Sequence, residues 1–266
     1  MLIARLFPIE SDRFKSIEVR FKKWDKFMQL DPIRWFGWWL LYVAGSSARV
    51  AVVDRTYFWD FSGWIQGSIA IVVISIVVGI LSVKLKQKNS QLLEVNLAIP
   101  SLVTQLVLGI VIFMLGWQSF ILPGILNGTP YFCAFLAMYF VHAIKMKTVD
   151  DTGENNGKYD DKKRFLIWLI AIFFLLTTVM IGFILDDPVA STGGIVALPF
   201  LIVAFLGRHI RHIRRAQFYP IFIFAVFLAS REAWLVVPLL LLFYILRVYN
   251  YFSFKKVYPT FGVDYD

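Results

Sequence analysis

Eight apolar runs, separated by polar or basic connectors, restrict what this chain can fold into more than any other feature. They lie at about 35–53, 62–83, 97–119, 130–144, 165–185, 189–206, 218–230 and 233–249. A helix crossing a bilayer needs roughly 20 predominantly apolar residues to span a hydrocarbon core of about 30 Å. Eight crossings therefore use about 160 residues, close to the 59% of the 266-residue chain that is hydrophobic. Charged residues make up 17% and the mean hydropathy is +0.68, whereas a soluble domain carries about a quarter charged residues. The expected fold class is all-α, a polytopic transmembrane helical bundle of about eight spans, with seven to nine as the range. Collagen, a disulfide scaffold, a disordered tail, a soluble nucleic-acid binder and a large water-soluble catalytic domain are excluded.

The formal charge of +9 suggests a polyanionic partner until the basic residues are placed along the chain. Cytoplasmic connectors carry the excess of Lys and Arg, and alternate connectors here do so. Eight basic residues precede the first run, three follow the second (Lys84, Lys86, Lys88), six lie in 145–164, four in 208–215, and Arg247, Lys255 and Lys256 close the chain. Together these are 24 of the 27 Lys and Arg; Arg55 and Arg231 fall on the opposite connectors and Arg49 within the first run. The distribution assigns 1–34 to a cytoplasmic segment, 35–249 to the transmembrane domain with a polar cytoplasmic loop at 145–164, and 250–266 to a cytoplasmic tail. It implies a bacterial-type cytoplasmic membrane with anionic headgroups as the partner of the basic face, possible further membrane subunits, and no nucleic acid. The first 34 residues show no cleavable signal peptide.

The last two runs are short for a crossing. Thirteen and seventeen residues rise only about 20 and 26 Å, and Arg231 and Glu232 stand between them. One continuous helix would bury that pair mid-membrane and send the basic tail outside, so a short hairpin with Arg231 and Glu232 paired at its turn is expected. Before the first run, Phe14, Ile17, Phe21, Trp24 and Met28 recur at helical spacing, the pattern of an amphipathic helix lying on the leaflet or packed on the protein's own cytoplasmic face. Trp35, Trp38 and Trp39 at one end of the first run, and Tyr57, Trp59 and Trp64 around the other, fit interfacial aromatic belts.

Ionisable residues within the runs are few, which makes each informative. Arg49, in the small-residue stretch AGSSAR, can pair with Asp54, snorkel outward or face a polar cavity. Gln66, Thr104, Gln105, Gln118 and His142 add scattered polar groups suited to interhelical hydrogen bonds. Cys133, the single cysteine, reads as an inert buried thiol. In the loop KMKTVDDTGENNGKYDDKKR, Asp150, Asp151, Asp160 and Asp161 read first as a solvated connector. Hard carboxylate oxygens there can also hold Mg²⁺ and, through it, a diphosphate. The run RHIRHIRR places Arg208, Arg211, Arg214 and Arg215 at a cytoplasmic helix end, as an anchor on anionic headgroups or a phosphate site. Gly63 and Gly67 form a GxxxG step and, with Gly109 and Gly116, permit close helix contacts; Pro199 and Pro238 imply kinks. There is no HExxH, GxSxG or glycine-rich phosphate loop, and three histidines are too few for a di-haem or histidine-rich di-iron centre.

In topology the chain resembles the UbiA-like intramembrane prenyltransferases, with an amphipathic leading helix and charged cytoplasmic loops. The resemblance implies Mg²⁺-diphosphate held by two aspartate-rich motifs. KLKQKNSQLLEVN lacks the first, with Glu94 its one acid, and VDDTGENNGKYDDKK stands in for the second with irregular spacing. The likeness is one of topology rather than motif. The leading expectation is a non-catalytic subunit or scaffold of a membrane complex, or a passive lipid or solute conduit, with no cofactor. The alternatives are a Mg²⁺-dependent lipid-phosphate or prenyl-diphosphate enzyme and, last, a transporter. Reporter fusions after Asp266 and within 186–188 should report cytoplasm and exterior respectively; a tail found outside eliminates the hairpin.

Overall fold

The computed structural model describes residues 2–28, 32–87, 95, 97–144, 161–207 and 210–255. These residues are helical almost throughout, with no strand among them beyond one isolated bridge between Asp60 and Glu232. Two helices lead, α1 (Leu2–Leu6) and α2 (Asp12–Met28). Eight longer ones follow: α3 (Pro32–Val53), α4 (Trp64–Gln87), α5 (Ile99–Trp117), α6 (Leu122–Ala143), α7 (Asp161–Ile184), α8 (Pro188–Leu206), α9 (Ile210–Arg231) and α10 (Val236–Phe254). Each of α3 to α10 contains a stretch long and apolar enough to cross a membrane. The protein is a polytopic integral membrane protein of all-α architecture.

Proline and carboxylate placement explains several helix starts. Pro100, Pro123 and Pro188 sit in the first turns of α5, α6 and α8, where the missing N–H has no intrahelical partner to lose. Asp187 caps α8 by accepting from the amides of Val189 at 3.0 Å and Ala190 at 3.4 Å, a contact of about 1 kcal/mol. Its other oxygen takes the hydroxyl of Tyr131 at 2.7 Å, so one buried carboxylate joins α6 to the start of α8.

Two spans differ from the sequence expectation. Helix α6 begins at Leu122 rather than near 130. The polar stretch there remains helical because its side chains bond back onto the same helix, Asn127 to the Pro123 carbonyl at 2.8 Å and Thr129 to that of Ile125 at 3.3 Å. Helix α9 begins at Ile210 rather than 218 and runs for 22 residues, a rise of roughly 33 Å. The basic segment therefore belongs to the span, and the final pair is a full-length hairpin, turning through a 3-10 segment at Ala233–Leu235. Arg231 and Glu232 do stand at this turn, but each bonds to groups other than its neighbour.

Four connectors converge at one end of the bundle. The 54–63 connector is laced to the α9–α10 turn by three backbone bonds: Trp59 N–H to Ser230 at 2.8 Å, Asp60 N–H to Arg231 at 3.0 Å and Ala233 N–H to Asp60 at 2.9 Å. Arg55 also makes an ion pair with Asp186, which lies between α7 and α8. At the other end, Gln217 donates to the carbonyls of Val141 and Ile144. There the first part of α2 packs on the protein itself: Phe14 is buried against Tyr251 and Phe252, Phe21 stacks on Phe252 at 5.1 Å, and the Tyr251 hydroxyl bonds to Phe7; the side chains of Trp24 and Met28 lie outside the described residues.

The tightest seam joins α3 and α5. A β-carbon on Gly45 would fall on the Phe113 carbonyl, and one on Gly116 would fall on that of Tyr42. Gly67 meets the ring of Trp234, whereas Gly63, at φ +72°, shapes the turn before α4 instead of a helix contact. Gly45→Val and Gly116→Val are each expected to cost about 3 kcal/mol or more, since backbone cannot yield to the added carbon. Gly37→Ala, with nothing within 4 Å, should stabilise by roughly 0.5–1 kcal/mol. Thermal unfolding of the detergent-solubilised protein measures both; equal melting temperatures for all three variants contradict the seam.

Candidate ligand site

One face of α3 carries Tyr42, Ser46, Arg49 with its neighbour Val50, and Val53, spaced three or four residues apart along the helix. It opens onto a cavity of about 520 Å³ at the end where the four connectors meet. The opposing walls are the 54–63 connector, the start of α4 with Gln66 and Gly67, Gln118 after α5, and Glu232 with Trp234 from the α9–α10 turn. The α3–α5 seam fixes Gln118 opposite Arg49, and the guanidinium donates to its amide oxygen.

Glu232 is 4% exposed and is held from two sides. Ser46 Oγ donates to one oxygen at 2.5 Å and Trp234 Nε1 to the other at 2.8 Å. Burial pushes its carboxyl above the ordinary value of 4.5; nearby Asp60 adds to the rise, while the two hydrogen bonds and Arg231 oppose it. The other two carboxylates organise their own loop. Asp54 accepts from the amide and hydroxyl of Thr56 at 2.9 and 2.6 Å, which lowers its carboxyl below the usual range. Asp60 accepts from the amide and hydroxyl of Ser62 at 2.6 and 2.8 Å.

Arg231 underpins this rim. It is fully buried, donates to the carbonyls of Ser47 at 3.2 Å and Arg55 at 3.0 Å, and lies 5.1 Å from the Phe58 ring centroid. The end of α9 is thereby tied to α3 and to the connector that follows it.

A second cavity, about 120 Å³ and mainly apolar, lies on another face of α3, against α5, α6 and α9. Gly37, Leu41 and Ala44 border it together with Phe135, Met138 and Phe224; Gln105, Tyr139 and His142 supply polar groups. All three polar groups have partners in the structure, Ser101 with Tyr139 at 3.2 Å and His142 with the Met138 carbonyl at 2.9 Å among them.

The structure brings Arg49 and Asp54 to one cavity without pairing them: Arg49 goes to Gln118 and Asp54 to Thr56. Arg214 and Arg215 lie on α9, half-buried and exposed, both with partners. Arg208 falls outside the described residues, and Arg211 is within α9 with its side chain outside them. Asp150, Asp151 and Asp160 also fall outside, and Asp161 opens α7 with its side chain outside. Among the described residues no three His, Cys, Asp or Glu side chains converge as metal ligands. Sequence reasoning treated Gln66 and Gln118 as scattered and did not join Ser46, Asp60 and Glu232 to Arg49. The one available signal was the polar stripe on α3, Tyr42, Ser46 and Arg49 at i, i+4 and i+7.

Because burial raises the Glu232 carboxyl, the folded state holds its proton to higher pH than the unfolded chain. Its contribution is complete below pH 4.5 and is lost as pH rises through the folded value. Melting temperatures of wild type and Glu232→Gln, compared upward from pH 4.5, should diverge against wild type; parallel curves refute the assignment. Comparison with protein-family models, with curated proteins and with solved structures finds no match to this chain.

Proposed function

We propose that this integral membrane protein performs no covalent chemistry and serves as a passive binding protein or conduit for a polar or amphiphilic small molecule. The observation that carries this reading is the cavity of about 520 Å³ lined by Arg49, Gln118, Asp54, Asp60 and Glu232. Its size falls within the range of roughly 300–1,000 Å³ typical of small-molecule sites. Charged side chains in a membrane bundle are expensive unless they face water, a partner or a ligand, and those of the vestibule are gathered around one opening.

The vestibule is assigned to the non-cytoplasmic side and both termini to the cytoplasm. This assignment rests on the sequence: 24 of 27 Lys and Arg fall in alternate connectors or in the terminal segments, the asymmetry that orients spans during insertion. The basic end of α9, with Arg214 and Arg215, then meets the anionic headgroups of the inner leaflet.

Native mass spectrometry of the gently solubilised full chain tests the reading. A stoichiometric small molecule is expected on the wild type, lost from the double variant Arg49→Ala with Gln118→Ala, and retained when Asp150, Asp151, Asp160 and Asp161 are all alanine. Loss in the aspartate variant with retention in the vestibule variant would favour a Mg²⁺-dependent enzyme at the loop and overturn the proposal. An empty vestibule in a chain that co-purifies with stoichiometric protein subunits would establish a scaffold instead.

A further inference from the structure

The vestibule does more than present polarity: it is lined by charges of both signs, and its lining cation, Arg49, is not paired with its carboxylates. Arg49, Asp54, Asp60 and Glu232 line one cavity, yet among the described contacts no ion pair joins Arg49 to any of the three carboxylates. The guanidinium is committed to Gln118, and the carboxylates to Thr56, Ser62, and Ser46 with Trp234. We infer that the ligand of this site is a zwitterion, its ammonium group received by Glu232 and Asp60 and its oxyanion by Arg49 and Gln118. The inference rests on the reading of the vestibule as a small-molecule site.

A guanidinium has five N–H donors. After the bond to Gln118 it still offers a planar fork suited to a phosphate or carboxylate, and the Gln118 amide nitrogen supplies further donors beside it. The acidic wall differs. Each carboxylate has about four lone-pair sites, of which the observed bonds leave acceptors for an ammonium. Tyr42, Tyr57 and Trp234 border the same space, and aromatic faces favour an organic cation. A bare metal ion is a poor fit, because these acids do not converge as a ligand set.

The spacing also suits a molecule with separated charges. Ser46, which holds Glu232, and Arg49 are three residues apart on one helix, an axial offset of about 4.5 Å. A ligand of one sign would satisfy one wall and face like charge on the other. An ammonium separated from an oxyanion by a short linker meets both. Such a group occurs on free solutes and on the headgroups of aminoalkyl phospholipids.

The full chain in nanodiscs, followed by Trp fluorescence and calorimetry, distinguishes these sources. Free O-phosphorylethanolamine is titrated beside its halves, ethylamine and inorganic phosphate. In a second arm, retained lipid is identified after exchange against vesicles of phosphatidylethanolamine or phosphatidylglycerol. Binding of the free zwitterion above both halves identifies a soluble ligand; selective retention of phosphatidylethanolamine identifies a headgroup. Glu232→Gln and the exposed Arg49→Gln should each weaken the zwitterion roughly tenfold or more, the effect of losing a charge-assisted bond. Arg49→Gln alone decides the matter if Glu232→Gln fails to fold. Halves that bind as tightly as the whole, or a vestibule occupied by some other molecule while neither zwitterion binds, overturn the inference and leave the small-molecule reading standing. A vestibule empty by native mass spectrometry removes both.

Discussion

A guanidinium with no exposed surface holds the rim of this bundle together. Removing Arg231 from water costs several kcal/mol, and the cost is offset by helix-end and connector carbonyls that also need partners and by the nearby carboxylates of Asp54 and Glu232. The carbonyls of Ser47 and Arg55 receive it and the Phe58 face flanks it. One cation therefore serves as the common donor for the late part of α3 and the connector beyond it. The backbone lacing between 59–60 and 230–233 completes the junction. The α9–α10 turn can then come close enough for Glu232 to reach Ser46.

The vestibule follows from that junction and from the glycine seam. Gly45 and Gly116 let α3 and α5 approach until each backbone meets the other's β-carbon position. Arg49, one turn farther along α3, and Gln118, just past the end of α5, are thus brought into contact beside the cavity. At the other connectors, similar economy appears: Asp187 caps α8 and binds Tyr131, so a single buried carboxylate satisfies two backbone donors and one hydroxyl.

Much of the architecture was legible in the sequence because lipid leaves the backbone few options. Apolar length revealed all eight spans, and Arg231 with Glu232 betrayed the final turn. The errors have a shared cause. The starts of α6 and α9 were placed too late because Asn127, Thr129 and the basic run after Ile210 read as loop, whereas their local bonds or continued helical pitch carry the helix through. The site was less legible. Arg49 stood out because a charge within an apolar run is rare, but its partner Gln118 is 69 residues away, and Ser46 and Glu232 are 186 apart. No local period encodes such pairings. Nor did anything in the 54–63 segment announce that Asp60 would bridge to Glu232.

Helix α4 forms one side of the vestibule, yet it is the least enclosed span, with 22% of its crossing stretch buried. Its valine and isoleucine side chains point outward around most of its circumference, and its one close approach to the α9–α10 turn is at Gly67, where the Trp234 ring leaves no room for a β-carbon. Ser75 accepts from Trp39 Nε1 at 2.8 Å, and Ile74 and Val78 pack on Trp38 and Leu41, so α4 is held to the bundle mainly along α3. One helix thus separates two unlike surfaces: its first turn, with Gln66 and Gly67, borders the charged cavity, while the valines and isoleucines that follow face away from the bundle.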